Sequence, residues 1–171
     1  GTGATVTGPD SSLDTILILK DTVNIADLTV TGGNNGIRLQ GPSYAGVANV
    51  VVRNTAGNGI LVRAGDIAIE NSTVEYAGGS GLALQRGASA RIVNSSFRNS
   101  HVNGITADSN STVGVNGGTV SDNEGQGITV GGGSQGNINN AEILGNTSHG
   151  VVAQAGAVLG VNGAKVKNNG Q

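Results

Sequence analysis

The chain has no cysteine and no tryptophan, and its only aromatic residues are Tyr44, Tyr76 and Phe97. Without cysteine, neither a disulfide nor a thiolate metal site can form. The scarcity of large rings excludes an ordinary aromatic core, so the interior must consist of small aliphatic side chains stacked in a regular way. Hydrophobic residues, mostly Val, Ile, Leu and Ala, make up 36% of the chain, which argues against disorder.

Charge of either sign is also sparse. Nine basic and eleven acidic residues give a formal net charge of −2. No basic stripe with interleaved aromatic residues is present, so the sequence predicts no nucleic-acid partner. No apolar run approaches the length of a transmembrane helix, so we also expect no membrane insertion.

Glycine, by contrast, is abundant and periodic, with 31 of the 171 residues. A glycine followed by Ile, Leu or Val returns at steps of 22 or 23 residues, a period that indicates a repeat architecture. These marker glycines are Gly36, Gly59, Gly81, Gly104, Gly127 and Gly150.

Apolar residues keep the same step and alternate with polar ones, as in Ile67–Glu70, which predicts short strands with one buried face. Two aliphatic columns follow each marker, at the first and third positions after the glycine. A further column is Leu28, Val51, Val74, Phe97, Val120, Ile143 and Val166. Another is Val23, Ile69, Ile92, Val115, Ile138 and Val161, with Gly46 in the one gap. Three short strands per repeat, separated by Gly/Asn/Ser turns, predict one coil of a parallel β-solenoid.

Asparagine forms two columns that we interpret as structural ladders, because a stacked amide can bond to the amides above and below it. The first column is Asn49, Asn71, Asn94, Asn116, Asn139 and Asn162. The second is Asn54, Asn123, Asn146 and Asn169, with Ala77 and Ser100 between them. The alternative role is glycosylation, since Asn71, Asn94, Asn110 and Asn146 stand in acceptor sequons.

The stretch "NGILVRAGDIAIENSTVEYAGGSGL" resembles the right-handed parallel β-helix repeat of pectate-lyase-like proteins, and the resemblance extends from about Thr15 to Gln171. It implies an all-β, single-stranded right-handed parallel β-helix, with about seven coils of 22–23 residues and three short strands per coil. Relatives of this kind include polysaccharide lyases, glycoside hydrolases, alginate epimerases, phage tailspikes and surface adhesins. Fold alone does not decide among these functions.

We expect residues 1–171 to form one β-helix domain that is a truncated segment of a longer β-helix without its own caps. Uncapped coils expose strand edges, so end-to-end self-association of molecules is a further possibility. The resemblance also implies an extracellular or cell-surface location.

In the family that the chain resembles, the working face is the outer side of the first strand of each coil. On this face the candidate substrate-binding cluster is Arg63, Gln85, Arg86 and Asp108, which could bind an acidic or neutral sugar chain. The alternative is a solvated face on which the Arg and Asp charges balance. The family's lyases hold Ca²⁺ with several Asp carboxylates, so Ca²⁺ is possible by resemblance only. Asp108 is the only carboxylate in these columns, and one carboxylate is neither a calcium site nor a glycosidase pair. We therefore assign no catalytic, metal or cofactor residue.

Other charges are predicted to pair across coils: Glu75 with Arg98, Glu142 with Lys165, and His101 with Glu124. His101–Glu124 could alternatively be a general acid–base pair, although no third group supports it.

Two functions remain open from the sequence. The first is a non-catalytic extracellular scaffold or binding module that contacts polysaccharide and belongs to a larger protein. The second is a fragment of a carbohydrate-active enzyme, namely a polysaccharide lyase, glycoside hydrolase or uronate epimerase. The missing carboxylate cluster favours the first for this segment.

Overall fold

A computed structural model describes residues 3–170, so Gly1, Thr2 and Gln171 of the predicted domain lie outside the described residues. In this range the chain forms twenty-two strands in three parallel sheets. Sheet I contains β2 (Ile16–Ile18), β5 (Ile37–Gln40), β8 (Ile60–Arg63), β11 (Leu82–Gln85), β14 (Ile105–Ala107), β17 (Ile128–Val130) and β20 (Val151–Ala153). Sheet II contains β3 (Thr22–Ala26), β6 (Tyr44–Ala48), β9 (Asp66–Glu70), β12 (Ser89–Val93), β15 (Thr112–Asn116), β18 (Gln135–Asn139) and β21 (Val158–Asn162). Sheet III contains β1 (Ala4–Thr7), β4 (Leu28–Thr31), β7 (Val51–Thr55), β10 (Thr73–Ala77), β13 (Ser96–Arg98), β16 (Thr119–Ser121), β19 (Glu142–Leu144) and β22 (Lys165–Lys167).

Each strand pairs in parallel with the strand three places later in the chain, as when Ile60 of β8 pairs with Leu82 of β11. The chain therefore passes through sheets I, II and III in turn and stacks one coil on the next. The all-β parallel solenoid of about seven coils, predicted from the glycine period, is confirmed.

The core is a set of aliphatic stacks inside the three sheets. The first and third residues after each marker glycine point inward, and in the middle coils they are fully buried, as Ile60, Val62, Leu82 and Leu84 are. Phe97 is the one aromatic ring in the core. A single coil could not cover such residues, so the apolar stack itself requires several coils in register.

Two of the predicted inward columns were wrong in the first coils. Val74 pairs with Val52, which is fully buried, and Val51 is only partly buried. In sheet II, Ile69 pairs with Val47, whereas Val23 pairs with Ala45. The cause is that some early coils contain 22 residues, so a column extrapolated at steps of 23 slips by one residue for each such coil. The slip is one residue at Val51 and Gly46, onto the opposite face of the strand. It is two residues at Leu28 and Val23, whose places in the columns are taken by Val30 and Ile25.

The second asparagine column is a buried ladder over three coils. Asn123 Nδ2 donates to Asn146 Oδ1 at 2.8 Å, and Asn146 Nδ2 donates to Asn169 Oδ1 at 2.9 Å. The same oxygens also accept the backbone N–H groups of Asn123 and Asn146 at 3.2 and 3.0 Å. Asn54 does not belong to this ladder, because Thr55 stands opposite Ala77 and Asn54 is exposed.

The first asparagine column divides between two structural positions. Asn116, Asn139 and Asn162 are the last residues of sheet II strands, whereas Asn49, Asn71 and Asn94 lie one position later, at a left-handed corner between sheets II and III. Asn71 and Asn94 have φ values of 47° and 46° there, a conformation that asparagine tolerates better than most residues. Asn162 Nδ2 donates to Asn139 Oδ1 at 3.3 Å, so an amide contact between coils also occurs in this column. Among the sequon residues, Asn146 is 1% exposed and committed to the ladder, whereas Asn71, Asn94 and Asn110 are exposed.

The three predicted ion pairs between coils are present. Arg98 lies 2.7 Å from Glu75, Lys165 lies 2.8 Å from Glu142, and His101 Nε2 lies 3.8 Å from Glu124. The hydrogen bond from Lys165, followed by its charge, lowers the pKa of Glu142, and the same bond raises the pKa of Lys165.

Substitution of Asn146 by Ala should destabilise the fold by about 2 kcal/mol or more, because it leaves buried donors on Asn123 and the carbonyl of Val120 without their partner. Asn162→Ala removes an exposed amide from the other column and should cost no more than about 0.5 kcal/mol. Urea unfolding of both variants measures the difference. Equal losses would contradict the structural role of the buried ladder.

Substitution of Lys165 by Ala should raise the pKa of Glu142 towards its ordinary value of 4.5, because the hydrogen bond and the charge are both removed. Since the folded pKa of Glu142 is depressed, the stabilising contribution of this carboxylate is complete above pH 4.5 and is lost as the pH falls through the folded value. Carboxyl NMR titration measures the shift. Lys167→Ala is the matched control, because Lys167 is the smallest of the named influences on Glu142; a larger shift in that variant would refute the assignment.

Candidate functional site

We call the outer face of sheet I the sheet I groove, because neighbouring side chains cover several of its outward residues. Its floor is the outward residue that follows each inward Ile, Leu or Val. Although they point away from the core, Leu61, Ala83 and Thr129 of this column are only 5%, 7% and 6% exposed. The floor column is Leu17, Arg38, Leu61, Ala83, Thr106, Thr129 and Val152.

One wall of the groove is a polar row at the position before each marker glycine. Asn58 Nδ2 donates to Asn35 Oδ1 at 3.1 Å, and Asn58 Oδ1 accepts the backbone N–H of Ser80 at 3.1 Å. Farther along, Asn103 Oδ1 accepts the backbone N–H of Gln126 at 2.8 Å. This third ladder was not predicted, although a polar residue before every marker glycine was its signal in the sequence.

The wall also holds the hydroxyl groups of the floor. Asn103 Nδ2 donates to Thr106 Oγ1 at 3.1 Å, and Thr129 Oγ1 donates to Gln126 Oε1 at 2.9 Å. Amides and hydroxyls therefore occupy fixed positions beside the apolar floor of Leu61 and Ala83.

The four predicted site residues lie at the opposite edge of the groove, where the sheet I strands end. Arg63 Nε donates to Gln85 Oε1 at 3.1 Å, so these two side chains on neighbouring coils are brought together. Arg86 follows in an exposed left-handed turn with φ 59°. The backbone N–H of Asp108 donates to the Leu84 carbonyl, which places Asp108 beside Gln85 on the neighbouring coil. The carboxylate of Asp108 accepts the backbone N–H of Ser109 at 2.7 Å. Within residues 3–170, no ion pair joins Asp108 to Arg63 or Arg86.

A charged cluster at the start of the groove was missed by the sequence reasoning. Asp14 lies 3.3 Å from Arg38 and accepts Asn35 Nδ2 at 2.6 Å, and its side chain is only 8% exposed. Arg38 also donates to Gln40 Oε1 at 2.6 Å. Asp14 occupies the same slot as Asn35 one coil earlier, so it starts the polar ladder with a carboxylate.

Among the described residues, Asp108 is the one carboxylate in the column that ends the sheet I strands, whereas a glycosidase uses a pair of carboxylates and a calcium site uses several. Asp14 is committed to Arg38 and Asn35, which leaves Asp108 alone. In the part of the chain that the structure describes, no three His, Cys, Asp or Glu side chains are grouped to hold a metal ion. Calcium requires six to eight oxygen ligands, so these residues do not fit the Ca²⁺ that the family resemblance allowed.

Comparison with known proteins agrees with the architecture. The family described as right-handed β-helix region matches residues 18–171, and the chain belongs to this family. No curated protein sequence matches the chain. Among solved structures, it is similar to the Azotobacter vinelandii mannuronan C-5 epimerase AlgE4 A-module, with a TM-score of 0.57 and 15% identity. The match covers 89% of this chain and 57% of that module, and at this identity it supports the fold alone.

No helix within residues 3–170 is long and apolar enough to cross a membrane.

Proposed function

We propose that this β-helix is a non-catalytic extracellular or cell-surface binding module that holds an anionic polysaccharide chain in the sheet I groove. The observation that carries the proposal is the charge at the groove edge. Arg63 and Arg86 have no ionic partner among the described residues. In the same range Asp108 also has no ion pair, and Asp66 follows Arg63 by three residues. A guanidinium without an ionic partner is able to bind a carboxylate of a ligand through two hydrogen bonds.

The geometry of Arg63 supports this role. Gln85 binds the Nε group of Arg63, which leaves the two terminal nitrogens of the guanidinium for a ligand. A guanidinium fixed in this way has less freedom to lose when it binds a carboxylate in two-point fashion. Gln85 is therefore a positioning residue for Arg63.

The shape of the groove suits an extended chain. The floor column repeats once per coil along the axis of the β-helix, so an extended chain that lies along it meets an equivalent position at every coil. The polar wall offers hydroxyl and amide groups at the same repeat, and these can bond to sugar hydroxyls.

A fragment of a carbohydrate-active enzyme is the second candidate. It is supported by the similarity to the epimerase module, whose title names a polysaccharide-modifying activity. It would require Asp108 to act with residues beyond those described, because the groove contains no second free carboxylate. Release of unsaturated product, or epimerisation of a uronate polymer, by the wild-type chain would favour this candidate over the binding module.

End-to-end self-association stays a prediction. In the coil that ends the described chain, Val158, Val161 and Val166 are exposed, and such residues would be covered by any coil that stacks on them.

Substitution of Arg63 and Arg86 by Gln should weaken binding to polygalacturonate by roughly tenfold or more per arginine, because each variant loses a charge-assisted contact. Calorimetry measures the affinity, and binding of the wild type should fall as salt is added. Arg91→Gln on sheet II removes the same charge away from the groove and should leave the affinity unchanged. If the Arg91 variant loses as much affinity as the groove variants, or if polygalacturonate and alginate both fail to bind the wild type, the proposed function is wrong.

A further inference from the structure

One corner column of the β-helix contains an exception that the fold does not explain. At the end of seven of the eight sheet III strands, β1 excepted, the chain turns through one residue with positive φ, between 53° and 75°. Six of the seven positions hold Gly, Asn or Asp, which tolerate this left-handed conformation, and the seventh holds Tyr76 with φ 53°. The column is Gly32, Asn54, Tyr76, Asn99, Asp122, Gly145 and Asn168.

Packing does not compensate for the strain at Tyr76. The side chain is 50% exposed, and no hydrogen bond of its hydroxyl is found among the residues described. A bulky side chain in a left-handed backbone is strained, and such strain persists mainly at functional positions. The chain has only two tyrosines, so the placement of one at a strained corner on the surface requires a reason.

Tyr76 borders a shallow, open cavity of about 460 Å³ at the corner between sheets III and I. Its lining includes Gly8, Gly32, Gly33 and Gly78, and the backbone N–H groups of Gly8, Gly32 and Gly78 already donate to the carbonyls of Thr31, Arg53 and Thr55. Asn54 adds a side-chain amide that can both donate and accept hydrogen bonds.

The charges around this cavity differ from those of the sheet I groove. No Arg or Lys is among its described lining residues. The lining residue Asp10 carries a carboxylate whose pKa is lowered by hydrogen bonds from the hydroxyl and backbone N–H of Ser12, so it is anionic at neutral pH. His101 also lines the cavity, and it faces Glu124 at 3.8 Å and the Ala77 carbonyl at 3.3 Å. An anionic sugar would be repelled by this arrangement, whereas a neutral one would not.

We propose that this corner cavity is a second saccharide site, which binds a neutral pyranose ring against the exposed face of Tyr76. The aromatic ring covers the C–H face of the sugar, while the Asn54 amide bonds to its hydroxyls. The site is separate from the groove that binds the anionic chain, and it does not depend on Arg63 or Arg86.

The experiment uses Tyr76→Asn, which places at this corner the residue found at three other positions of the column. Because asparagine relieves the backbone strain, the variant should melt roughly 2–4 °C higher than the wild type. Its affinity for neutral oligosaccharides, tested with cellohexaose, xylohexaose and mannohexaose, should fall at least tenfold. Tyr76→Phe keeps the ring and should retain binding within about threefold, since the hydroxyl has no assigned partner.

Tyr44→Asn is the matched control, because Tyr44 is also exposed but lies at the start of β6 in sheet II, without positive φ. This variant should not raise the melting temperature, and it should bind these oligosaccharides as the wild type does. The Arg63→Gln/Arg86→Gln variant should also bind them as the wild type does, which separates this site from the groove. The proposal is overturned if Tyr76→Asn binds neutral oligosaccharides normally, if it melts lower than the wild type, or if none of the three probes binds the wild type.

Discussion

The structure depends on parallel hydrogen bonding between successive coils in strict register. Because each strand pairs with the equivalent strand of the next coil, every residue lies directly above a residue of the same position. Neighbouring coils are about 4.8 Å apart. The side chain at each position must therefore pack against the side chains at the same position in the coils above and below. Aliphatic side chains satisfy this requirement inside, and amides satisfy it where polar groups are buried, as in Asn123, Asn146 and Asn169.

The same constraint gives the surface its functional character. Columns on the outside become rows, so the sheet I groove has a floor of mixed apolar and polar residues, a polar wall and an edge that carries Arg63, and all three run along the axis. At the corner that follows sheet III, the left-handed turn holds Gly, Asn or Asp at six of seven positions, and Tyr76 is the exception. Comparison of equivalent positions in successive coils therefore shows which residue types the fold requires and which positions depart from that requirement.

The sequence predicted the architecture well because the glycine marker and the inward columns report directly on coil register. It failed where 22-residue coils shifted that register, as at Val51 and Val52. Of the candidate site, the contact between Arg63 and Gln85 lies where the repeat places it, but the pairing of Asp14 with Arg38 was missed because Asp14 precedes the first marker glycine. The strain at Tyr76 could not be predicted from the sequence. A tyrosine among Gly, Asn and Asp at equivalent positions does not by itself show that its backbone φ is positive.

The most direct test of the account is to map the amide chemical-shift changes of the protein as polygalacturonate is added. The account predicts that the largest changes follow the sheet I groove edge at Arg63, Gln85 and Asp108, while Arg91 on sheet II is unaffected. Changes confined to sheet II would contradict the claim that the polysaccharide binds in this groove. The absence of any change, with polygalacturonate and with the other polyuronates tested, would contradict it as well.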